Sequence, residues 1–97
     1  MSTNKDIHHD NWQQFLQLSN KVPNEKNLKE FFDFFLTKEE RNALTNRYVI
    51  VKELLLSDKP QRQIAKDSKV SIAKITRGSN SIKLISDTLR KFLLANL

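Results

Sequence analysis

Apolar residues recur along this chain at helical spacing, and no stretch shows the apolar–polar alternation of a half-buried strand. Trp12, Phe15, Leu16 and Ser19 follow an i, i+3, i+4, i+7 pattern, which predicts an amphipathic helix from Asp10 to about Val22, ended by Pro23 and Asn24. From Glu25 to Leu36 the pattern repeats with Leu28, Phe31, Phe32 and Phe35, while Phe34 lies off that stripe. Four phenylalanines between residues 31 and 35 exceed what one face of a short helix can bury, so a second surface, most simply another subunit, has to cover some of them. Thr37 and Glu40 form a T-x-x-E capping box that starts a longer helix at about Lys38. Its apolar positions Leu44, Tyr48, Ile50, Val51, Leu54 and Leu55 wrap around most of the circumference, which predicts a central helix buried on more than one side.

The stretch from Pro60 to about Leu84 reads as a helix-turn-helix. Pro60 suits the threshold of a helix, Ile64 and Ala65 give that helix (about Gln61–Asp67) an inner face, and Ser71 is placed to cap a second helix running to about Leu84. Ala65 is small where the two helices cross, and Ser68 to Val70 is too short for anything but a sharp corner. One residue of that corner has to be left-handed, and the position falls on Lys69 rather than on a glycine, at a cost of about 1–2 kcal/mol. Ser86–Asp87 then caps a last short helix carrying Leu89, Phe92 and Leu93.

The expected fold is therefore all-α, with six short helices. Residues 1–9 form a polar, flexible N-terminal arm, and residues 10–97 form a single helical domain. Six short helices cannot enclose a large core, and several carry apolar surface on two sides, so the chain is expected to form an intertwined homodimer. A two-fold dimer also suits a helix-turn-helix, because two recognition helices about one DNA turn apart can read a palindromic site.

Composition narrows the function. The chain has no cysteine, no apolar run of membrane-spanning length, and an N-terminus too polar for a signal peptide, so a soluble cytoplasmic protein is expected, with no membrane partner. The net charge of +6 is unevenly placed. Residues 1–58 hold eight Lys/Arg against nine Asp/Glu, whereas residues 59–97 hold nine Lys/Arg against only Asp67 and Asp87. All the basic excess accompanies the helix-turn-helix, where phosphate backbones are the natural partner and a merely solvated basic face is the plain alternative. His8 and His9 are adjacent and lack the spacing of metal ligands, so no metal is expected. No nucleophile–base pair, carboxylate dyad or phosphate-cradling glycine loop is visible, so no catalytic residue is assigned and the chain is read as a non-enzyme.

Arg47 is the odd residue of the central helix, three after Leu44 and four before Val51 on their apolar face. A buried guanidinium needs a strong acceptor. From spacing alone the acceptor is either an internal carboxylate, with Glu53, Glu40 or a glutamate of a neighbouring chain as candidates, or a ligand.

The residues Leu36–Thr37, Glu40–Arg41, Ala43–Leu44, Arg47, Glu53–Leu54–Leu55, Gln61–Arg62 and the run Ile75–Thr76–Arg77–Gly78–Ser79–Asn80–Ser81 followed by Lys83 closely resemble the Trp repressor family, and Trp12 and Phe15 fit its first helix without a gap. The resemblance implies an intertwined dimer that binds L-tryptophan as corepressor and only then grips palindromic double-stranded operator DNA, repressing tryptophan biosynthesis or transport genes. By position it implies that Arg47 and Arg77 flank the indole ring, that Arg77 pairs with the carboxylate, that Ser81 helps hold the amino group and that Gly78 leaves space for the ring. Thr37, with the backbone near Phe34 and Leu36, would come from the other subunit. The match at Arg77, Gly78 and Ser81 tips Arg47 towards a ligand role. For DNA it implies a guanine contact from Arg62, groove-facing Ile72, Ala73, Lys74 and Thr76, and phosphate contacts from Gln61, Asn80 and Lys83. Ala65 stands where the best-known members carry a lysine, which removes one candidate DNA contact. Lys69 and Ser71 replace small turn residues, Lys74 adds a charge on the reading face, and Leu56 replaces a basic residue. Two other readings remain: a ligand-independent or other-indole-responsive regulator of the same fold, and a helical dimerisation module whose basic end binds an acidic protein.

Overall fold

In the computed structural model, which describes residues 4–97, six helices follow one another and no strand occurs among the described residues. They are α1 (Asn4–Asn20), α2 (Glu25–Phe35), α3 (Lys38–Leu56), α4 (Gln61–Ser68), α5 (Ile72–Ile82) and α6 (Asp87–Asn96). The all-α class and the helix count are as the periodicity requires. Two compact units divide the chain, Met1–Arg41 and Asn42–Leu97.

In the first unit, residues 4–9 of the expected arm form the first turns of α1, because nothing between Asn4 and His9 breaks a helix that the Trp12 stripe has started; residues 1–3 lie outside the described residues. At its other end α1 stops at Asn20, where Lys21 N donates to Leu18 O (3.0 Å) and Val22 N to Ser19 O (3.2 Å), closing the tighter turn typical of a helix end. Asn24 caps α2 by accepting from Asn27 N at 2.9 Å. The aromatic rings form one cluster: Phe15 stands 5.6 Å from both Trp12 and Phe31 and 5.3 Å from Phe35, and Phe31 and Phe35 are 4.8 Å apart. Phe34, off the stripe, is 81% exposed. Even with this cluster, no residue from Ile7 to Arg41 is buried. At the start of α3 the expected capping box is complete, with Glu40 N donating to Thr37 Oγ1 (3.1 Å) and Thr37 N to Glu40 Oε1 (2.9 Å).

The second unit holds the buried core, made of Ile50, Ile64, Ala65 and Ile75, with Leu54 and Val70 packed against it. Ile64 and Ile75 are almost wholly excluded from water and link α4 to α5. The corner between these helices is a Schellman turn: Val70 N donates to Ala65 O (3.1 Å), Lys69 N to Lys66 O (3.4 Å), and Lys69 lies in the left-handed region at φ 56°, ψ 39°. Val70 completes the motif by turning its side chain to the core. Ser71 caps α5 from Lys74 N (3.3 Å) and Ser86 caps α6 from Leu89 N (3.1 Å).

One expectation changes. In the single chain α3 is not buried on several sides: Ile50 is its only buried residue, and Leu44, Tyr48 and Leu56 are each about half exposed. Ile50 packs with Ile64 and Ala65 of α4 and Ile75 of α5, Val49, Val51, Leu54 and Leu55 are half-buried, and Leu44, Tyr48 and Leu56 stay exposed.

Candidate functional site

The second motif helix, α5, has a buried inner side and an exposed outer side. Ile75 and Gly78 point inward, three residues apart, whereas Ile72, Ala73, Lys74, Thr76 and Asn80 are exposed, as is Lys83 at the helix end. Gln61 and Arg62, in the first turn of α4, are exposed as well, so all eight residues that the resemblance assigns to DNA reach solvent. Two of them meet: Thr76 Oγ1 donates to Gln61 Oε1 at 3.3 Å, across the corner of the motif.

Gly78 is placed against α3. A Cβ on it would stand 2.9 Å from Ile50 Cγ2 and 3.3 Å from Leu54 Cδ1, so the absence of a side chain is what lets the two helices approach this closely. Within this chain the space beside Gly78 is thus taken by Ile50 and Leu54, where the resemblance reserves it for an aromatic ring. Ser81 is half-buried and its hydroxyl donates to Arg77 O at 2.9 Å, which leaves the oxygen lone pairs as its remaining hydrogen-bonding capacity. Arg77 and Arg47 are both exposed, and neither forms an ion pair among the described residues.

Neither intrachain carboxylate candidate for Arg47 pairs with it. Glu40 is committed to the Thr37 cap, and its carboxyl is held below the ordinary value chiefly by the Thr37 backbone N–H. Glu53 lies 3.9 Å from Lys59 instead. An exposed guanidinium carries no burial penalty, so Arg47 needs no internal partner. The remaining proposed ligand residues fall in the first unit: Phe34 is exposed, Leu36 is half-buried, and Thr37 is bound into its capping box.

The basic half of the chain contains one neutralised cation. Lys59 donates to Asp67 Oδ2 at 3.1 Å, and Gln63 Nε2 donates to the other carboxylate oxygen at 2.7 Å. The Lys59 ammonium, then the Gln63 amide, hold the Asp67 carboxyl below its ordinary value, and Asp67 in turn raises Lys59. Arg62, Lys66, Lys69 and Lys74 form no ion pair among the described residues, so their charges are available to a polyanion. At the other end of α5, the part-buried Arg90 of α6 donates to Ile82 O at 2.7 Å, placing a cation on the C-terminal carbonyls of the helix. Sequence reasoning missed Lys59–Asp67, Thr76–Gln61 and Arg90–Ile82; the isolation of Asp67 among lysines was the one available signal for the first. No group of metal-ligating side chains is found among the described residues, and no described helix is long and apolar enough to cross a membrane.

Comparison with known proteins agrees on one family. The family described as Trp repressor protein matches residues 10–97. The chain is 44% identical over 82 residues to a Trp operon repressor homolog of Chlamydia trachomatis serovar D, covering 84% of this chain and 87% of that protein. It is 43% identical over 76 residues to a homolog of the same description in Vibrio vulnificus (strain YJ016), covering 78% of this chain and 74% of the relative. Against the Haemophilus influenzae (strain PittEE) homolog the identity is 36% over 86 residues, covering 89% and 85%.

Proposed function

The chain belongs to the Trp repressor family, a family of transcription repressors, and from that premise we propose that it is a tryptophan-activated repressor that binds palindromic operator DNA as a homodimer. It acts in the cytoplasm on genes of tryptophan biosynthesis or transport. The observation that carries the reading is the double use of α5: Ile72, Ala73, Lys74 and Thr76 are exposed on the motif, while Arg77 and Ser81, one turn apart, share another part of the same helix with buried Gly78.

Arg47 and Arg77 have the chemistry for the ligand. Their guanidinium planes stack on an indole ring, and the fork of Arg77 matches a carboxylate. Thr37, with the backbone at Phe34 and Leu36, completes the site from the partner subunit, and Ser81 accepts from the amino group through its free lone pairs. Tryptophan wedged between α3 and α5 lifts Gly78 from Ile50 and changes the angle of the reading helix. It drives operator binding only by as much as it prefers that angle.

The dimer is supported by the first unit, which buries no residue between Ile7 and Arg41 although Trp12, Phe34 and Phe35 are 51%, 81% and 45% exposed. A surface of that kind is covered in solution, and a second copy is the simplest cover.

The close seat of Gly78 on α3 favours one competing reading, in which α5 is already fixed and DNA binding needs no ligand. Titration calorimetry of the purified protein with L-tryptophan decides between them. We expect about one site per subunit, and absence of both heat and thermal stabilisation at millimolar tryptophan rules the corepressor reading out.

A further inference from the structure

Thr76 and Gln61 are 15 residues apart, on different helices, and both exposed, yet their side chains are hydrogen-bonded to each other at 3.3 Å. The direction of the bond matters. Thr76 donates and Gln61 Oε1 accepts, so the acceptor end of the Gln61 amide is occupied and its Nε2 donors, which no described residue accepts, are left to an outside acceptor. Along α5, Asn80 and then Lys83 follow Thr76 at i+4 and i+7, on the same face. The result is a set of donors, the Gln61 amide, the Asn80 amide and the Lys83 ammonium, whose first member belongs to α4 and is held by the Thr76 hydroxyl. Such a set matches regularly spaced acceptors rather than one base edge.

We infer that Thr76 is a positioning residue for the DNA backbone: its hydroxyl holds the Gln61 side chain so that the amide nitrogen donates to a phosphate oxygen. The inference rests on the operator-binding reading above and adds a residue that acts through another. At 3.3 Å the bond is long and therefore weak for a hydroxyl donor; its effect is to bias the Gln61 amide in the free protein and spare that side chain part of the ordering it would otherwise undergo on binding DNA.

A double-mutant cycle tests this. The wild-type protein first selects a duplex from a random-sequence pool in the presence of L-tryptophan, and equilibrium binding to that duplex is then measured for Thr76→Val, Gln61→Ala and the double variant. Each single substitution should weaken binding by about three- to tenfold, and the double by no more than the weaker-binding single, because both remove the same phosphate contact. Thr76→Ser should preserve the coupling to Gln61. Unchanged thermal midpoints for all variants separate positioning from folding. In the free protein, Thr76→Val should also shift the Gln61 side-chain amide resonances. Losses that multiply in the double variant, or amide resonances that do not move, overturn the positioning role while leaving the operator reading intact. A wild-type protein that selects no duplex overturns the operator reading and this role with it.

Discussion

Gly78 sits so close to Ile50 that a Cβ on it would stand 2.9 Å from Ile50 Cγ2, nearer than two carbons pack. The neighbour cannot give way easily, since Ile50 is 5% exposed and β-branched, with little freedom at χ1. Gly78→Ala should therefore destabilise the fold by about 1–2 kcal/mol, overpacking outweighing the roughly 1 kcal/mol that alanine gains as a helix former. Urea denaturation measures this. In an Ile50→Ala background, which removes the opposing methyl, the same change should be neutral or stabilising.

Arg77→Ala and Arg47→Ala should each weaken L-tryptophan binding at least about tenfold, the ordinary effect of losing a charged hydrogen-bonding group. Arg62→Ala should leave ligand affinity alone and reduce discrimination between the selected duplex and a scrambled one. The opposite assignment of effects would mean that the sensing and reading arginines are exchanged.

Lys69 carries the left-handed corner of the motif, φ 56°, without glycine's freedom. Replacing it by glycine relieves about 1–2 kcal/mol of steric cost and returns part of that through the greater entropy of the unfolded chain. A net stabilisation of roughly 0.5–1 kcal/mol is expected in denaturant unfolding, and a loss of stability would show that the Lys69 side chain contributes something the corner geometry does not require.

The exposed pairs give a pH dependence of definite sign. The carboxyls of Asp33, Glu40 and Asp67 are all lowered from ordinary values of 3.8, 4.5 and 3.8, Asp33 by the Lys29 ammonium, Glu40 by the Thr37 N–H and Asp67 by the Lys59 ammonium. The folded state thus binds fewer protons than the unfolded one in the acid range, and its stability is fully present above the ordinary carboxylate range and falls as the pH drops through the lowered values. Lys59 is raised from 10.5, so its contribution is present below that value and is lost as the pH rises through the raised one. Thermal midpoints measured across acid pH should fall less steeply for Asp67→Asn than for the wild type. Because all these groups are exposed, the slopes should also shrink at high salt.

Light scattering at micromolar concentration should return the mass of a dimer, since no residue of the first unit between Ile7 and Arg41 is buried in one chain. A compact monomer would refute the interleaved architecture.

Much of the local structure was legible because it is made within one turn of helix. The Thr37–Glu40 box, the Ser71 and Ser86 caps and the left-handed Lys69 corner join residues at most five apart, so spacing alone announces them. The start of α1 was not legible, since a polar stretch without a breaker reads as an arm until a neighbouring amphipathic turn nucleates it. The burial of α3 was overstated because an apolar position declares that it prefers cover, not which surface supplies it, and within one chain only Ile50 is fully buried while Leu44, Tyr48 and Leu56 stay about half exposed.

Thus the sequence by itself determined the helices, their caps and the helix-turn-helix, all set by side chains acting on nearby backbone, and through the run Ile75–Ser81 it determined the family. Tertiary structure alone decided that Gly78 seats closely on Ile50, that Asp67 pairs with Lys59, and that Thr76 reaches Gln61. Those relationships join residues 8 to 28 positions apart, and no periodicity encodes them: they exist only once α3, α4 and α5 have packed on one small core.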